Sequence, residues 1–168
     1  MEIVVPDPSL VILCGPAASG KTAFARRHFR ETQVVSSDRC RAMLCDDEAE
    51  QAASQSAFEL VHSIVDKRLL LGRLTVADST ALAAEARRAL REIAAAHGVP
   101  GVLVGFEAPL ADLVRRDAER GRRVGREVLE MQLEKFARAK EEFAQEGYAA
   151  WWLVGPQDRP VVSLRRSR

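Results

Sequence analysis

The segment Gly15–Thr22 reads GPAASGKT and matches the pattern G-x-x-x-x-G-K-[ST] at every fixed position. In such a loop the glycines let successive backbone N–H groups turn inward, where they donate hydrogen bonds to phosphate oxygens. The lysine neutralises the β and γ phosphates, and the final hydroxyl is a ligand for magnesium. The motif therefore predicts a site for a nucleoside triphosphate and Mg²⁺. The residues predicted to form it are Gly15, Ala17, Ala18, Ser19, Gly20, Lys21 and Thr22.

The pattern alone also occurs by chance, so the elements around the loop decide whether the match indicates phosphate binding. Apolar residues Leu10–Cys14 predict a buried strand directly before the loop, and Lys21–Phe29 predicts a helix directly after it. A strand, a glycine-containing loop and a helix in this order are the arrangement that phosphate binding requires, because the helix N-terminus adds its positive dipole. The context favours nucleotide binding over a chance match.

An acid, Asp38, follows the second predicted strand, Gln33–Ser36. Strand ends at this edge of a parallel sheet line the ligand crevice, so its carboxylate could accept the proton of a hydroxyl that attacks the γ-phosphate. Alternatively, Ser37 or Asp38 caps the short helix Arg39–Leu44, and the two roles can coexist. Arg41 shares a helix face with Asp38, either as a simple ion-pair partner or as a cation that holds an anionic part of the acceptor.

A second acid, Asp78, ends the strand predicted at Leu74–Ala77. In phosphate-loop enzymes an acid in this position supports the magnesium ion through water or through the loop threonine. It could equally cap the next helix together with Ser79 and Thr80. The sequence leaves both roles open.

Arginine is concentrated between Arg115 and Arg126, where six arginines and two acids give a net charge of +4. Because Gly121 and Gly125 interrupt the segment, we expect a helix end followed by a mobile loop. Guanidinium groups match phosphoryl oxygens and stabilise charge during transfer, so the segment predicts a lid over polyphosphate. A solvated basic face is the alternative.

Short apolar runs alternate with longer amphipathic ones along the rest of the chain, which predicts an α/β fold with a parallel sheet flanked by helices on both faces. The other predicted strands are Val102–Phe106 and Trp151–Val154, and the other predicted helices are Glu48–Leu71, Ala83–Ala96 and Glu127–Glu146. We expect one phosphate-loop domain over residues 1–155, followed by a basic tail or domain edge over residues 156–168.

Composition narrows the class of protein. The chain has 168 residues, of which 47% are hydrophobic and 29% charged, as in a soluble globular domain. A net charge of +1 argues against a basic coat that binds nucleic acid along its whole surface. The odd number of cysteines, three, predicts neither a disulfide framework nor a zinc site. Cysteines without a disulfide framework are typical of a reducing compartment, so we expect a cytoplasmic protein. No apolar stretch is long enough to span a bilayer.

Several motifs in order resemble one known family. Besides the loop they are VSSD-x2-R at Val35–Arg41, DDE-x2-Q at Asp46–Gln51, GRLTV-x-D at Gly72–Asp78 and the arginine segment. From about Ser9 to Val154 the chain resembles the kinase module of bacterial polynucleotide kinase–phosphatase. The resemblance implies transfer of the γ-phosphoryl group of ATP to the 5′-hydroxyl end of RNA or DNA, with Mg²⁺. It also implies end healing beside phosphatase and ligase modules, in the same protein or in trans.

The resemblance also implies roles for single residues. Lys21 and Thr22 would serve ATP and magnesium, Asp38 would be the general base, and Arg41 would hold the phosphate on the 3′ side of the terminal nucleotide. The lid contacts to ATP phosphates or to the acceptor would be Arg116, Arg120 and Arg123.

The chain departs from the family at two places. It has Ser79-Thr80-Ala81 where the family tends to read Ala-Thr-Asn, and its lid is shorter around Gly121, which leaves Arg122 and Arg123 as alternatives for one contact. Two other functions remain open. One is a phosphate-loop kinase that acts on a sugar, an antibiotic or a nucleoside, and the other is an ATPase or nucleotide-binding module without an acceptor.

Overall fold

The computed structural model describes residues 1–166, and five of the strands in that range form one parallel sheet. In chain order the strands are β1 (Glu2–Asp7), β2 (Leu10–Cys14), β3 (Val34–Ser36), β4 (Thr75–Asp78), β5 (Gly101–Phe106), β6 (Ala150–Val154) and β7 (Val161–Arg166). The order across the sheet is β3-β4-β2-β5-β6, and every neighbouring pair is parallel. The strand that precedes the phosphate loop therefore lies at the centre.

Helices connect these strands and cover both faces of the sheet, as the alternating pattern predicts. They are α1 (Lys21–His28), α2 (Ser37–Cys45), α3 (Ser54–Leu70), α4 (Ala84–Ala96), α5 (Leu110–Ala118) and α6 (Arg126–Glu142). Short 3₁₀ turns precede β3, precede α3 and follow α6, at Glu31–Gln33, Gln51–Ala53 and Phe143–Gln145.

The core has two layers because successive side chains of β2 point to opposite faces. Leu10, Ile12 and Cys14 pack in one cluster with α3, α4 and α6. Val11 and Leu13 pack in the other cluster with α1 and with β1. All five residues of β2 are buried, which explains why the strand reads as a continuous apolar run.

All five predicted strands and the predicted fold class are confirmed, with element ends that differ by a few residues. The largest difference is in the helix predicted at Glu48–Leu71, which begins at Ser54. The sequence did not predict β1 or β7, and of α5 it predicted only the end, within the arginine segment. The two strands depend on tertiary contacts, since Ile3 and Val5 of β1 are buried under the sheet.

The segment predicted as a tail or domain edge contains a strand. β7 pairs in parallel with β1, from Glu2 opposite Val161 to Asp7 opposite Arg166. Most side chains of β7 are exposed, with Val161 at 63%, so backbone pairing rather than apolar burial holds it in place. The domain division at residue 155 stays a prediction, and residues 167 and 168 of the proposed tail lie outside the described part of the chain.

Two further features bear on the expected class of protein. Within residues 1–166, no helix has both the length and the apolar character that a membrane span requires. The cysteines are free thiols, and burial raises the pKa of Cys14 to about 12. Cys14 therefore stays a thiol at neutral pH and donates to the Ala81 carbonyl at 3.3 Å.

Candidate active site

The phosphate loop lies at the carboxyl end of β2, between that strand and α1. A side chain at Gly15 would place its Cβ atom 2.9 Å from the carbonyl oxygen of Phe106, so only glycine fits at the start of the loop. Gly20 has a φ angle of 107° and is the N-terminal cap of α1, a conformation that other residues rarely adopt. The two glycines thus shape the loop as its motif predicts.

Lys21 is buried under its own loop. Its Nζ atom donates to the carbonyl oxygens of Gly15 at 2.9 Å and Pro16 at 2.6 Å. Burial lowers the pKa of Lys21 to about 8, against the opposing charge of Asp78. The ammonium group is therefore only partly compensated by neutral carbonyls, and an anionic phosphate is the partner that suits it.

Nucleotide affinity should fall as the pH rises through about 8, because the charged form of Lys21 binds phosphate and the neutral form does not. Between pH 7 and pH 9.5 we expect ATP to bind about tenfold more weakly or worse, by calorimetric titration without added metal. Lys21→Arg, which stays charged over this range, is the control and should show no such slope. An equal slope in both proteins would assign the titration to another group.

Thr22 and Asp78 meet at the end of the neighbouring strand. The Thr22 hydroxyl donates to the Asp78 carboxylate at 2.8 Å, and Asp78 is buried. Burial raises the pKa of Asp78, and the hydrogen bond from Thr22 opposes that rise. A hydroxyl and a carboxylate oxygen fit Mg²⁺, which keeps several waters and takes few protein ligands. Among the residues that the structure describes, no three His, Cys, Asp or Glu side chains form a denser metal site.

Asp38 lies in the first turn of α2, and it is not the cap of that helix. The cap is Ser36, whose side chain accepts from the backbone N–H of Arg39 at 3.3 Å, so the predicted capping by Ser37 or Asp38 is wrong. The buried Arg41 donates from Nη1 to the Asp38 carboxylate at 2.8 Å and to the Glu48 carbonyl at 2.8 Å. The predicted ion pair therefore exists, and Asp38 remains 42% exposed.

The arginine segment forms the end of α5, the loop over residues 119–125 and the start of α6. The buried carboxylate of Asp117 closes this loop, because it accepts from the backbone N–H groups of Val124 and Gly125 at 3.1 and 3.0 Å. In the sequence, Asp117 stands out only as one of the two acids that offset the arginine charge. Its position at a helix end, just before a glycine-containing turn, was the available signal.

The lid arginines reach different parts of the site. Arg116 donates to the phosphate-loop carbonyl of Ala18 at 3.4 Å, and Arg120 lies 3.9 Å from Asp117. Arg122 reaches Asp38 at 2.8 Å, whereas Arg123 is exposed. Of the two alternatives for the shortened lid, Arg122 is thus the one that contacts a predicted catalytic group.

A cleft of about 680 Å³ opens between the lid and the start of the α2–α3 connection. Its walls are Asp47, Glu48 and Ala49 on one side and Arg120, Gly121, Arg122 and Arg123 on the other. One more contact links the lid helix to the phosphate loop: the Gln132 side chain of α6 accepts from the backbone N–H of Ala17 at 2.7 Å. No motif marked Gln132, because only the packing of α6 brings it to the loop.

Solved structures with the same fold include a chain of an RNA repair complex, an APS kinase and a gluconokinase. A chain of the Pnkp1/Rnl/Hen1 RNA repair complex is 22% identical with a TM-score of 0.70, covering 81% of this chain and 46% of that one. Mycobacterium tuberculosis APS kinase CysC, in complex with AMPPNP and APS, is 20% identical with a TM-score of 0.57, covering 92% and 91%. A gluconokinase from Sinorhizobium meliloti 1021 is 18% identical with a TM-score of 0.57, covering 92% and 86%.

These TM-scores show that the chain shares its fold with these proteins. This chain spans about half of the RNA repair chain that it matches, 46% of its length. The comparison with curated proteins gives no match. A family model described as "AAA domain" matches residues 10–142, which is most of the chain. With its phosphate loop on the central strand of a parallel sheet, the chain belongs to the AAA domain family.

Proposed function

We propose that the chain is an ATP-dependent polynucleotide kinase that transfers the γ-phosphoryl group to the 5′-hydroxyl end of RNA or DNA. One observation carries the proposal: the Asp38 carboxylate, held by Arg41 and Arg122, adjoins a cleft with three arginines. A carboxylate is the group needed to accept a hydroxyl proton, and guanidinium groups are the groups needed to hold a nucleic-acid phosphate.

In the proposed reaction Asp38 takes the proton of the 5′-hydroxyl while the hydroxyl oxygen forms a bond to the γ-phosphorus. The bond from the γ-phosphorus to the oxygen that bridges it to the β-phosphate breaks, and ADP leaves with that oxygen. Lys21 and Arg116, which both contact carbonyls of the loop, would offset the charge of the phosphoryl oxygens. Mg²⁺, held by Thr22 with support from Asp78, would neutralise charge on the β and γ phosphates.

Arg41 supplies the acceptor side of the proposal. Its guanidinium lies next to the base, where it would hold the phosphate on the 3′ side of the terminal nucleotide. A cleft of about 680 Å³ is large enough for only a short stretch of the strand, so a net charge of +1 for the whole chain is compatible with this substrate. Arg120 and Arg123, on the cleft wall, would contact ATP phosphates or the acceptor.

The half-length match to an RNA repair chain supports a place beside phosphatase and ligase modules, in the same protein or in trans. The free thiols support the cytoplasm as the compartment.

The same cleft favours a second candidate, a small-molecule kinase. Asp47 and Glu48 line it as well as arginines, and acids in an acceptor site suit hydroxyl-rich small molecules better than phosphates. Arg41 would then have no phosphate to bind, so Arg41→Ala should leave transfer nearly unchanged.

The test is transfer of labelled phosphate from γ-labelled ATP to matched RNA and DNA oligonucleotides with 5′-hydroxyl ends, beside a panel of sugars, nucleosides and antibiotics. Label on the oligonucleotides, and a loss of at least tenfold with Arg41→Ala, would support the polynucleotide kinase. Label on a small molecule alone would support the second candidate. Label only in free phosphate would mean an ATPase without an acceptor.

A further inference from the structure

Two arginines share one oxygen of Asp38. Nη1 of Arg41 and Nη1 of Arg122 each lie 2.8 Å from its Oδ1 atom. Arg41 is three residues away on the same helix, whereas Arg122 comes from the lid, 84 residues further along the chain. The lid is thus tied directly to the predicted base.

The charges of this group are unbalanced. One carboxylate faces two guanidinium groups, which leaves one positive charge in excess within this group of three, and Arg122 is the member of the group that lines the cleft. Arg41 also has a spare donor, because its buried Nε atom has no hydrogen-bond partner within the described residues. Buried donors are normally paired, so the arrangement suits a second anion between the two arginines.

The arrangement also opposes the reaction proposed for Asp38. Both arginines bind Oδ1, so Oδ2 is the oxygen left to take up the proton, and the two positive charges rather than a lack of lone pairs oppose that step. Protonation of Asp38 would cancel the charge that both guanidinium groups bind. If Arg122 moved to another anion, taking up the proton would break one ion pair instead of two.

Arg122 is able to move in this way. It follows Gly121 in the loop over residues 119–125. Asp117 holds this loop at Val124 and Gly125, which come after Arg122, so these hydrogen bonds do not hold Arg122 itself. Its side chain is 18% exposed and lines the cleft, so a phosphate in the cleft would lie within its reach.

We propose that Arg122 senses the charge of the acceptor: it pairs with Asp38 in the empty cleft and transfers to the phosphate on the 3′ side of the terminal nucleotide. An anionic acceptor would then release the base that it needs, and a neutral one would leave it paired. The inference rests on the polynucleotide kinase function proposed above and adds a specificity residue to it.

The experiment compares two acceptors that differ in a single charge. Both are short oligonucleotides with a 5′-hydroxyl end, one with a normal first linkage and one with an uncharged methylphosphonate there. For the wild-type chain we expect kcat/KM to be about 10- to 100-fold higher with the charged linkage. Arg122→Ala should lower this ratio, because it frees Asp38 for the uncharged acceptor and removes one contact to the charged one, while Arg41 keeps part of the preference. The KM for ATP should not change. Arg122→Lys should keep part of the ratio.

Arg126→Ala is the matched control, since it removes the same charge four residues along, where Arg126 pairs with Glu130 on the surface. It should keep the wild-type ratio. A wild-type ratio in Arg122→Ala, or a raised KM for ATP in place of a changed ratio, would overturn the role of Arg122 alone. Absence of transfer to either oligonucleotide by the wild-type chain would overturn the proposed function, and this inference with it.

Discussion

Asp38→Asn should lower phosphoryl transfer to a 5′-hydroxyl end by about 10²- to 10⁴-fold, the usual contribution of a general base. Asparagine keeps the size of the side chain and can still accept a hydrogen bond from Arg41, but it cannot take up the proton of the attacking hydroxyl. ATP binding should stay near the wild-type value, because Lys21 and the phosphate loop are unchanged. Single-turnover transfer and calorimetric ATP binding measure the two quantities separately.

The chain contains a closely matched control for this variant. Asp112 also pairs with an arginine three residues later on a helix, Arg115, at 3.0 Å, but Arg115 is 65% exposed whereas Arg41 is 6% exposed. Asp112→Asn should therefore leave transfer unchanged, while Asp38→Ala should behave like Asp38→Asn. Wild-type turnover in either Asp38 variant would remove Asp38 from the role of base.

The sequence predicted those parts of the site that depend on local pattern. A glycine-containing loop between an apolar strand and a helix can be read from neighbouring residues, and so can an acid at a strand end. Lys21, Thr22, Asp38 and Asp78 accordingly lie at one edge of the sheet, with the predicted Asp38–Arg41 pair formed.

Contacts between distant segments could not be predicted in this way. The bond from Arg122 to Asp38 depends on how the lid folds over α2, and the bond from Gln132 to Ala17 depends on the packing of α6. Neither leaves a periodic or compositional signal. The pairing of β1 with β7 joins the two ends of the described chain, and patterns of neighbouring residues do not predict it either.

Arg87 is another residue that the sequence did not mark, and it supports the connection between β4 and α4. Its side chain is 0% exposed and donates to Glu146 at 2.6 Å and Glu142 at 2.7 Å. It also donates to the carbonyls of Ala81 and Leu82 at 3.0 and 2.8 Å. Ala81 and Leu82 lie in the connection between β4 and α4, in which the Thr80 carbonyl accepts a hydrogen bond from the Gly15 N–H at 3.0 Å. The buried arginine thus fixes the segment against which the phosphate loop rests.

We expect Arg87→Met to lower the free energy of unfolding by about 3 kcal/mol, because the Glu146 carboxylate, whose side chain is only 10% exposed, loses its cationic partner and keeps only the hydrogen bond from Tyr148. Although burial favours the neutral acid, the hydrogen bonds from Arg87 and Tyr148 lower the pKa of Glu146. The pair therefore contributes its full stability at neutral pH and loses it as the pH falls through that lowered pKa. Urea unfolding at pH 7 measures the loss.

Two further variants separate the buried charge from simple loss of packing. Arg88→Met changes the next residue of α4, which is 65% exposed and 3.8 Å from Glu92, so stability should change by no more than about 0.5 kcal/mol. Adding Glu146→Gln to Arg87→Met removes the orphaned charge and should restore part of the lost stability. If the double variant is no more stable than Arg87→Met alone, the lost stability comes from the packing of Arg87 against the Phe143 ring, 5.4 Å away, rather than from the ion pair.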